Sequence, residues 1–367
     1  MEILILVQDY PNANNKYAMN YVHTRNLEYA QQNLNITVLS FSAQQSYYYE
    51  GIKVIPLENF KTEYRNHLFN LVISHAPNLR NHIRFLKEYN PRFGKILFFI
   101  HGHEVMRMAK YYPKTYSYLG TNHIKDFTRD LYDILKLKIL KKYITSMFKN
   151  QKLKIIFVSN WMRDVFLENI PINKQLLLDN SYVISNAMNT IFLEQSYKLE
   201  QPIKADFITI RPLDNSKYAV DLVVELAKKH PSLTFHIYGK GEYFTYNEKP
   251  KNIEVFQEFF SPNDMAKLLN HYRCALLPTR LDAQGVLMCE VATYGMPLVT
   301  SNLPICKEML YNFDNIFYFN NSEVEINLNE VLEGISLSKL SNEKNSRFSK
   351  GNTTIKELEI IKKIIEA

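Results

Sequence analysis

The sequence predicts an α/β protein built from two doubly wound parallel-sheet domains. Three observations carry that reading. Short apolar runs recur along the chain without polar alternation, as in strands covered on both faces. Helical periodicity fills many of the intervals between them, for instance over residues 219–227. The runs also fall into two series, and a chain of 367 residues exceeds what one ordinary core accommodates.

The first series of expected strands covers residues 3–7, 36–41, 71–73, 96–100 and 155–158. The second covers residues 207–210, 234–238, 253–256, 275–277 and 298–300. Between the two, a polar stretch near residues 186–204 interrupts the alternation. The expected domains are therefore residues 1–187 and 200–345. A terminal amphipathic helix over 353–367 is expected to pack back on the first domain. Thr354 and Glu357 in that tail have the spacing of a capping box. Residues 321–352, rich in Asn, Ser, Glu and Lys, read as surface.

Composition narrows the class. An apolar fraction of 46% is that of a globular chain. No apolar run approaches the roughly 18 residues of a membrane-spanning helix, and the N-terminus reads as a buried strand, not a signal peptide. Three cysteines, Cys274, Cys289 and Cys306, sit in apolar segments, which argues for a reducing, cytoplasmic setting without a disulfide framework.

Open parallel sheets bind ligands beyond the carboxyl ends of their strands, so the segments following each expected strand hold the candidate chemistry. Two facing domains of this kind would leave a cleft between them. After 275–277 comes a polar loop and then a helical stretch closed by Gly295 and Pro297. Asp282 stands in the loop and Glu290 eight positions on, inside the helix. Carboxylates flanking a helix N-terminus suit a nucleotide-sugar: phosphates for the backbone amides, hydroxyls for the acids. Asp282 also reads as a simple cap, whereas Glu290 lies among apolar residues and needs a partner.

Arg211 and Lys217 follow the strand at 207–210. A rigid guanidinium fork and a mobile ammonium fit a diphosphate, and a solvated loop is the competing reading. Gly239 and Gly241 follow the strand at 234–238; a plain tight turn accounts for them as well as ligand contact does. His101-Gly102-His103-Glu104 follows the strand at 96–100. One of the two histidines contacting a sugar hydroxyl or phosphate, or both being structural at a strand end, suits the segment better than a metal, because no further ligand set accompanies the pair.

One segment stands apart. Over residues 125–156, Phe127, Leu131, Ile134, Leu137, Leu140, Ile144 and Met147 recur at helical spacing. Lys136, Lys138, Lys141, Lys142, Lys149, Lys152 and Lys154 crowd the same stretch. A core helix with a solvated lysine face explains this, and so does peripheral contact with an anionic membrane. No recognisable module supports nucleic-acid binding. There is no Asp-x-Asp pair for a metal-bound diphosphate, no phosphate loop ending in Gly-Lys-Ser/Thr and no Gly-x-Ser-x-Gly elbow.

Taken in order, these segments resemble the group 1, or family 4, retaining glycosyltransferases of GT-B fold. Asp282 and Glu290 match that family's Glu-x7-Glu motif. Arg211 and Lys217 match its diphosphate-binding pair, and Gly239 and Gly241 its Gly-x-Gly turn. The segment Val183-Ile184-Ser185-Asn186-Ala187-Met188-Asn189 resembles its interdomain linker, and Phe157-Val158-Ser159 its segment near the end of the first domain. The resemblance spans most of residues 150–310.

It implies a metal-independent hexosyltransferase without a cofactor, with a UDP-sugar favoured over a GDP-sugar as donor. Glu290 would bind ribose. Asp282 and the amides near Gln284, Gly285 and Val286 would hold the sugar. Arg211 and Lys217 would stabilise the leaving diphosphate, and His101 would approach the donor sugar. A glycan acceptor of bacterial surface polysaccharide, including a lipid-linked one at the inner face of the membrane, completes the expectation. A nucleotide-sugar epimerase or hydrolase, or a non-catalytic nucleotide-sugar-binding protein, are the alternatives. The sequence departs from the family in having Asp at the first acidic position. It also lacks the N-terminal Gly-Gly loop, where Tyr10-Pro11-Asn12-Ala13-Asn14-Asn15-Lys16-Tyr17 stands instead.

Overall fold

The computed structural model describes residues 2–13, 15, 18–120, 122–258, 260–335 and 344–366. Asn14, Lys16 and Tyr17 of the loop after the first strand, residues 336–343 of the stretch read as surface, and the last residue of the tail lie outside the described residues. The chain divides into two compact units. The first comprises residues 1–110, 127–187 and 350–367, the second residues 111–126 and 188–349. The boundaries read from sequence placed 111–126 in the first domain; here it groups with the second unit, joined by Tyr116 to Asp221 at 2.8 Å and by Tyr118 to Asp214 at 2.7 Å.

The first unit holds an eight-stranded sheet: β1 (Glu2–Val7), β2 (Asn35–Ser40), β3 (Tyr47–Tyr49), β4 (Ile52–Ile55), β5 (Phe69–His75), β6 (Phe93–Ile100), β7 (Leu153–Phe157) and β8 (Ser181–Val183). Their spatial order is β3-β4-β2-β1-β5-β6-β7-β8. All neighbours are parallel except β3 and β4. That hairpin, unforeseen in the sequence, turns at Glu50 and Gly51, both with positive φ (45° and 81°), a backbone that suits the twist of paired strands. The apolar runs of β1, β5 and β6 are buried throughout their centres, as the absence of alternation requires.

The second unit holds six parallel strands: β9 (Ala205–Ile210), β10 (Phe235–Tyr238), β11 (Ile253–Phe256), β12 (Tyr272–Leu277), β13 (Leu298–Ser301) and β14 (Ile316–Phe319). Their order is β11-β10-β9-β12-β13-β14. Numbered within the unit this is 3-2-1-4-5-6, the dinucleotide-fold order, and it reverses between β9 and β12. The helix Val220–Lys229 packs Val223, Leu226 and Ala227 into the core against Phe207, Phe235 and Ile237.

Two sequence expectations need correction. The apolar stripe of the long helix His123–Lys149 packs only in its C-terminal part: Leu137, Leu140 and Ile144 are buried, but Phe127 and Leu131 are exposed. Lys136, expected on a solvated face, is buried, and its Nζ bonds Asp133 (2.7 Å) and the carbonyls of His103 and Met106. An ammonium so placed survives burial because all three donors are used.

The second correction concerns the tail. The helix Lys356–Glu366 lays Leu358, Ile361 and Ile364 into the first unit's core. Glu357 does not serve a capping box. Fully buried, it accepts Arg25 Nε at 3.0 and 3.1 Å and the Tyr29 hydroxyl at 2.8 Å. Arg25 Nη2 reaches Asn186 Oδ1 at 2.8 Å, and its guanidinium lies 5.2 Å from the Phe99 ring centroid. Removing one partner of such a pair strands the other charge. Glu357→Ala should therefore destabilise the chain by about 3–5 kcal/mol in urea unfolding, and Arg25→Met combined with Glu357→Leu should recover most of the loss. A single variant as stable as wild type would show that Arg25 is otherwise satisfied.

Candidate functional site

The reversal of strand order in the second unit brings the loops after β9 and β12 side by side. Their contact is explicit. Arg280 donates its backbone N–H to the Lys217 carbonyl (2.8 Å), and the Thr279 hydroxyl donates to the same oxygen (3.2 Å). Arg280 also donates to the Ser216 carbonyl and forms a two-pronged ion pair with Asp221, at 2.8 and 2.5 Å. Asp221 in turn accepts the Tyr116 hydroxyl at 2.8 Å. Sequence reading missed Arg280 and Asp221. They lie 59 positions apart, and only the strand order makes them neighbours.

On this support Arg211 and Lys217 converge. Both cations lie over the Tyr218 ring, 5.2 and 5.1 Å from its centroid. Arg211 is 7% exposed, and its Nε has no hydrogen-bond partner among the described residues. Burial holds its guanidinium below the usual value, while the Asp282 carboxylate pulls the other way. An arginine brought into the interior without an acceptor for its Nε–H is unusual, since such donors are nearly always paired.

Gly239 explains how Arg211 is placed. A Cβ there would stand 1.8 Å from the Arg211 carbonyl oxygen, so only glycine permits this approach of β10 to the end of β9. Gly241 abuts Leu213 and Asp214 in the same way. Asp214 accepts the Glu242 N–H at 2.8 Å and the Tyr118 hydroxyl at 2.7 Å. The Gly-x-Gly turn thus packs on the cationic loop.

Across the reversal, Asp282 folds on its own loop, accepting the N–H groups of Ala283 (2.8 Å) and Gln284 (3.3 Å). Gln284 is buried. Gly285, with φ 71°, leads into the helix Val286–Tyr294, and no side chain caps that helix start. A Cβ at Gly285 would lie 3.0 Å from Met288 Cε and 3.6 Å from Asp282 Oδ2. The uncapped start, beginning at Val286, presents backbone donors at a positive dipole end. Gly295, at φ 89°, closes the helix as expected.

Glu290 sits one turn into this helix. It keeps part of its surface open, yet burial of the carboxyl pushes it up to about 7, with the Asn189 N–H (3.2 Å) acting against that rise. The thiols of Cys274, Cys289 and Cys306 are free and buried.

His101 belongs to the first unit, directly after β6. Its Nε2 lies 3.2 Å from His75 Nδ1, and its ring packs 4.8 Å from Tyr21. Burial holds both imidazoles well below their usual range, so both are neutral at pH 7. Glu104 accepts the backbone N–H groups of His101 and Gly102, which shapes the loop. His103 is exposed beside Glu104.

Residues 208–333 match the family model described as Glycosyl transferases group 1. This segment is similar to group 1 glycosyltransferases. It contains Arg211, Lys217, Asp282 and Glu290. No curated relative matches the chain by sequence. Among solved structures, TarM gives a TM-score of 0.67 at 12% identity, covering 100% of this chain and 99% of that one. A glycosyltransferase from Rickettsia africae gives 0.67 at 15% identity, with 99% and 98% covered. HepE from Anabaena, in complex with UDP and glucose, gives 0.66 at 12% identity, with 100% of each covered. These likenesses identify the fold, two parallel-sheet α/β domains of the GT-B kind.

The raised Glu290 carboxyl has a consequence for stability. Between its ordinary value of 4.5 and about 7, the folded chain holds a proton that the unfolded chain has lost. Stability contributed by this group therefore falls as pH rises through that window and levels off above it. Glu290→Gln should lack this component, so wild type minus variant in urea unfolding should favour wild type more at pH 5 than at pH 8. Equal differences at the two pH values would show an unperturbed carboxyl.

Proposed function

We propose that this chain is a metal-independent, retaining glycosyltransferase that moves a sugar from a nucleotide-diphosphate donor to a glycan acceptor. The observation that carries the reading is Arg211: a buried cation with an unpartnered Nε, beside Lys217, within the segment similar to group 1 glycosyltransferases. The donor diphosphate supplies the missing acceptor. As the bond from the anomeric carbon to the diphosphate oxygen breaks, charge grows on that oxygen, and Arg211 and Lys217 stabilise it. Two cations and a helix start do there what a divalent ion does in other transferases. Glu290 takes the ribose hydroxyls, Asp282 and the backbone near Gly285 the sugar ring, and neutral His101 a sugar hydroxyl. Arg280 and Asp221 position Lys217.

The donor we favour is a UDP-sugar. The HepE structures hold UDP-glucose or UDP with glucose, and a structure of S. aureus TarM holds UDP with α-GlcNAc-glycerol, which lends support. Lys217→Ala and Glu290→Gln should each lower turnover by roughly a hundredfold, the size of a lost transition-state contact. Thermal shift with UDP, GDP and their sugars should show stabilisation by the UDP series in wild type and a loss of it in Arg211→Ala. Rapid donor hydrolysis or epimerisation without an acceptor, as the main activity, would instead assign the chain to those reactions.

A lipid-linked acceptor at a membrane surface is the form of this reading that the long helix favours. Ile124, Phe127, Leu131 and Leu135 are exposed near its start, and Lys138, Lys141 and Lys142 are exposed further along. No described helix is long and apolar enough to cross a membrane. Replacing the three lysines with Glu should weaken co-sedimentation with anionic vesicles severalfold at low salt. Unchanged sedimentation would remove the membrane from the proposal.

A further inference from the structure

Two adjoining cavities open at the amino ends of the first sheet's strands, the edge opposite His101. One, of about 260 Å³, is lined by Lys95, Lys152, Lys154, Lys363 and Tyr182. These come from β6, β7, β8 and the tail helix, four elements that reach this edge from different parts of the chain. The other, of about 370 Å³, shares Lys95 and is walled by Leu68, Phe69, Pro91, Phe93 and Ile365, with Arg92 beside them. No carboxylate side chain is among the described residues that line either cavity.

The lysines are held in place. Lys152 Nζ donates to the Asn90 carbonyl at 2.6 Å and Lys95 Nζ to the Gln151 carbonyl at 3.2 Å. Lys154 Nζ donates to the Asp179 carbonyl at 3.0 Å and to Asn180 Oδ1 at 2.9 Å. Neutral oxygens fix the ammonium groups without cancelling their charge, and each ammonium has three N–H donors, so donors remain. Burial also holds Lys152 and Lys154 below the usual lysine value; at Lys154 the Lys95 charge adds to this and the Asp179 carboxylate opposes it. Charges gathered against their own repulsion and desolvation favour an anion between them.

We propose that this edge of the first unit binds a phosphate group that carries an apolar chain, the phosphate among Lys95, Lys152, Lys154 and Lys363 and the chain along the Phe69–Phe93–Ile365 wall. Charge complementarity selects the headgroup, and the apolar wall that begins at the shared Lys95 selects the substituent. The site lies roughly 20 Å along β6 from His101, and it stands independently of the donor reading. A phosphate there places a second, non-substrate contact on the sheet edge that the tail helix covers.

The test uses the whole chain and two soluble probes, octyl phosphate below its micelle concentration and inorganic phosphate, by isothermal titration calorimetry. Octyl phosphate should bind at least tenfold more tightly than inorganic phosphate. Lys95→Gln with Lys363→Gln should weaken it at least tenfold at unchanged melting temperature. Lys363→Glu, a single change on an exposed helix position, should do the same and guards against misfolding of the double variant. Saturating UDP, which occupies the proposed donor site, should leave the octyl phosphate affinity unchanged. Equal affinity for the two probes would overturn the amphiphilic ligand. Binding that is absent, that ignores the lysine variants, or that UDP abolishes would overturn the site.

Discussion

Six strands running the same way discharge their carboxyl ends at one edge, and where their order reverses two loops have no choice but to meet. The rest of the second unit's chemistry depends on that constraint. Between β9 and β12 it brings the Arg211–Lys217 loop against the loop from Thr279 to Gly285. The charged groups of the candidate site are thus assembled from segments that sequence separates by some seventy positions. Glycine at 239 and the Arg280–Asp221 pair then set the height and tilt of the cationic loop. Neither touches a ligand in this reading.

In the first unit one charged pair organises a comparable volume. Arg25 is surrounded by Glu357, Asn186, the Tyr21 carbonyl and the Phe99 ring. Its charge also helps keep His75 and His101 neutral, so the same cation that anchors the tail conditions the imidazole next to β6. A neutral His101 offers one ring donor and one ring acceptor and carries no charge.

Much of this architecture was legible in the sequence because strands covered on both faces leave uninterrupted apolar runs, and all ten expected runs fall on observed strands. The four that escaped notice are short or weakly covered. β3 and β4 form a hairpin whose Glu-Gly turn lacks the usual Asn-Gly signature, β8 has three residues, and β14 is buried mainly at its end. The cations at 211 and 217 were legible from their place after a strand. The partners that position them were not, because Arg280 and Asp221 look like ordinary surface charges until topology makes them neighbours. Lys136 and Glu357 misled for a related reason: periodicity assigns a charged residue to solvent or to a cap, and only a buried counterpart elsewhere in the chain reverses that.

The first unit is discontinuous, completed by the segment from Lys350 onward, while the second is a nearly continuous stretch ahead of it. During synthesis the half that is made first is therefore the last to close. Arg25 emerges more than three hundred residues before Glu357, and until the tail clears the ribosome its guanidinium must stay hydrated and the sheet face meant for Leu358, Ile361 and Ile364 must stay bare. The nucleotide-fold half can mature on the nascent chain. Its partner waits for the helix Lys356–Glu366 to supply Glu357 and the apolar face that covers its sheet.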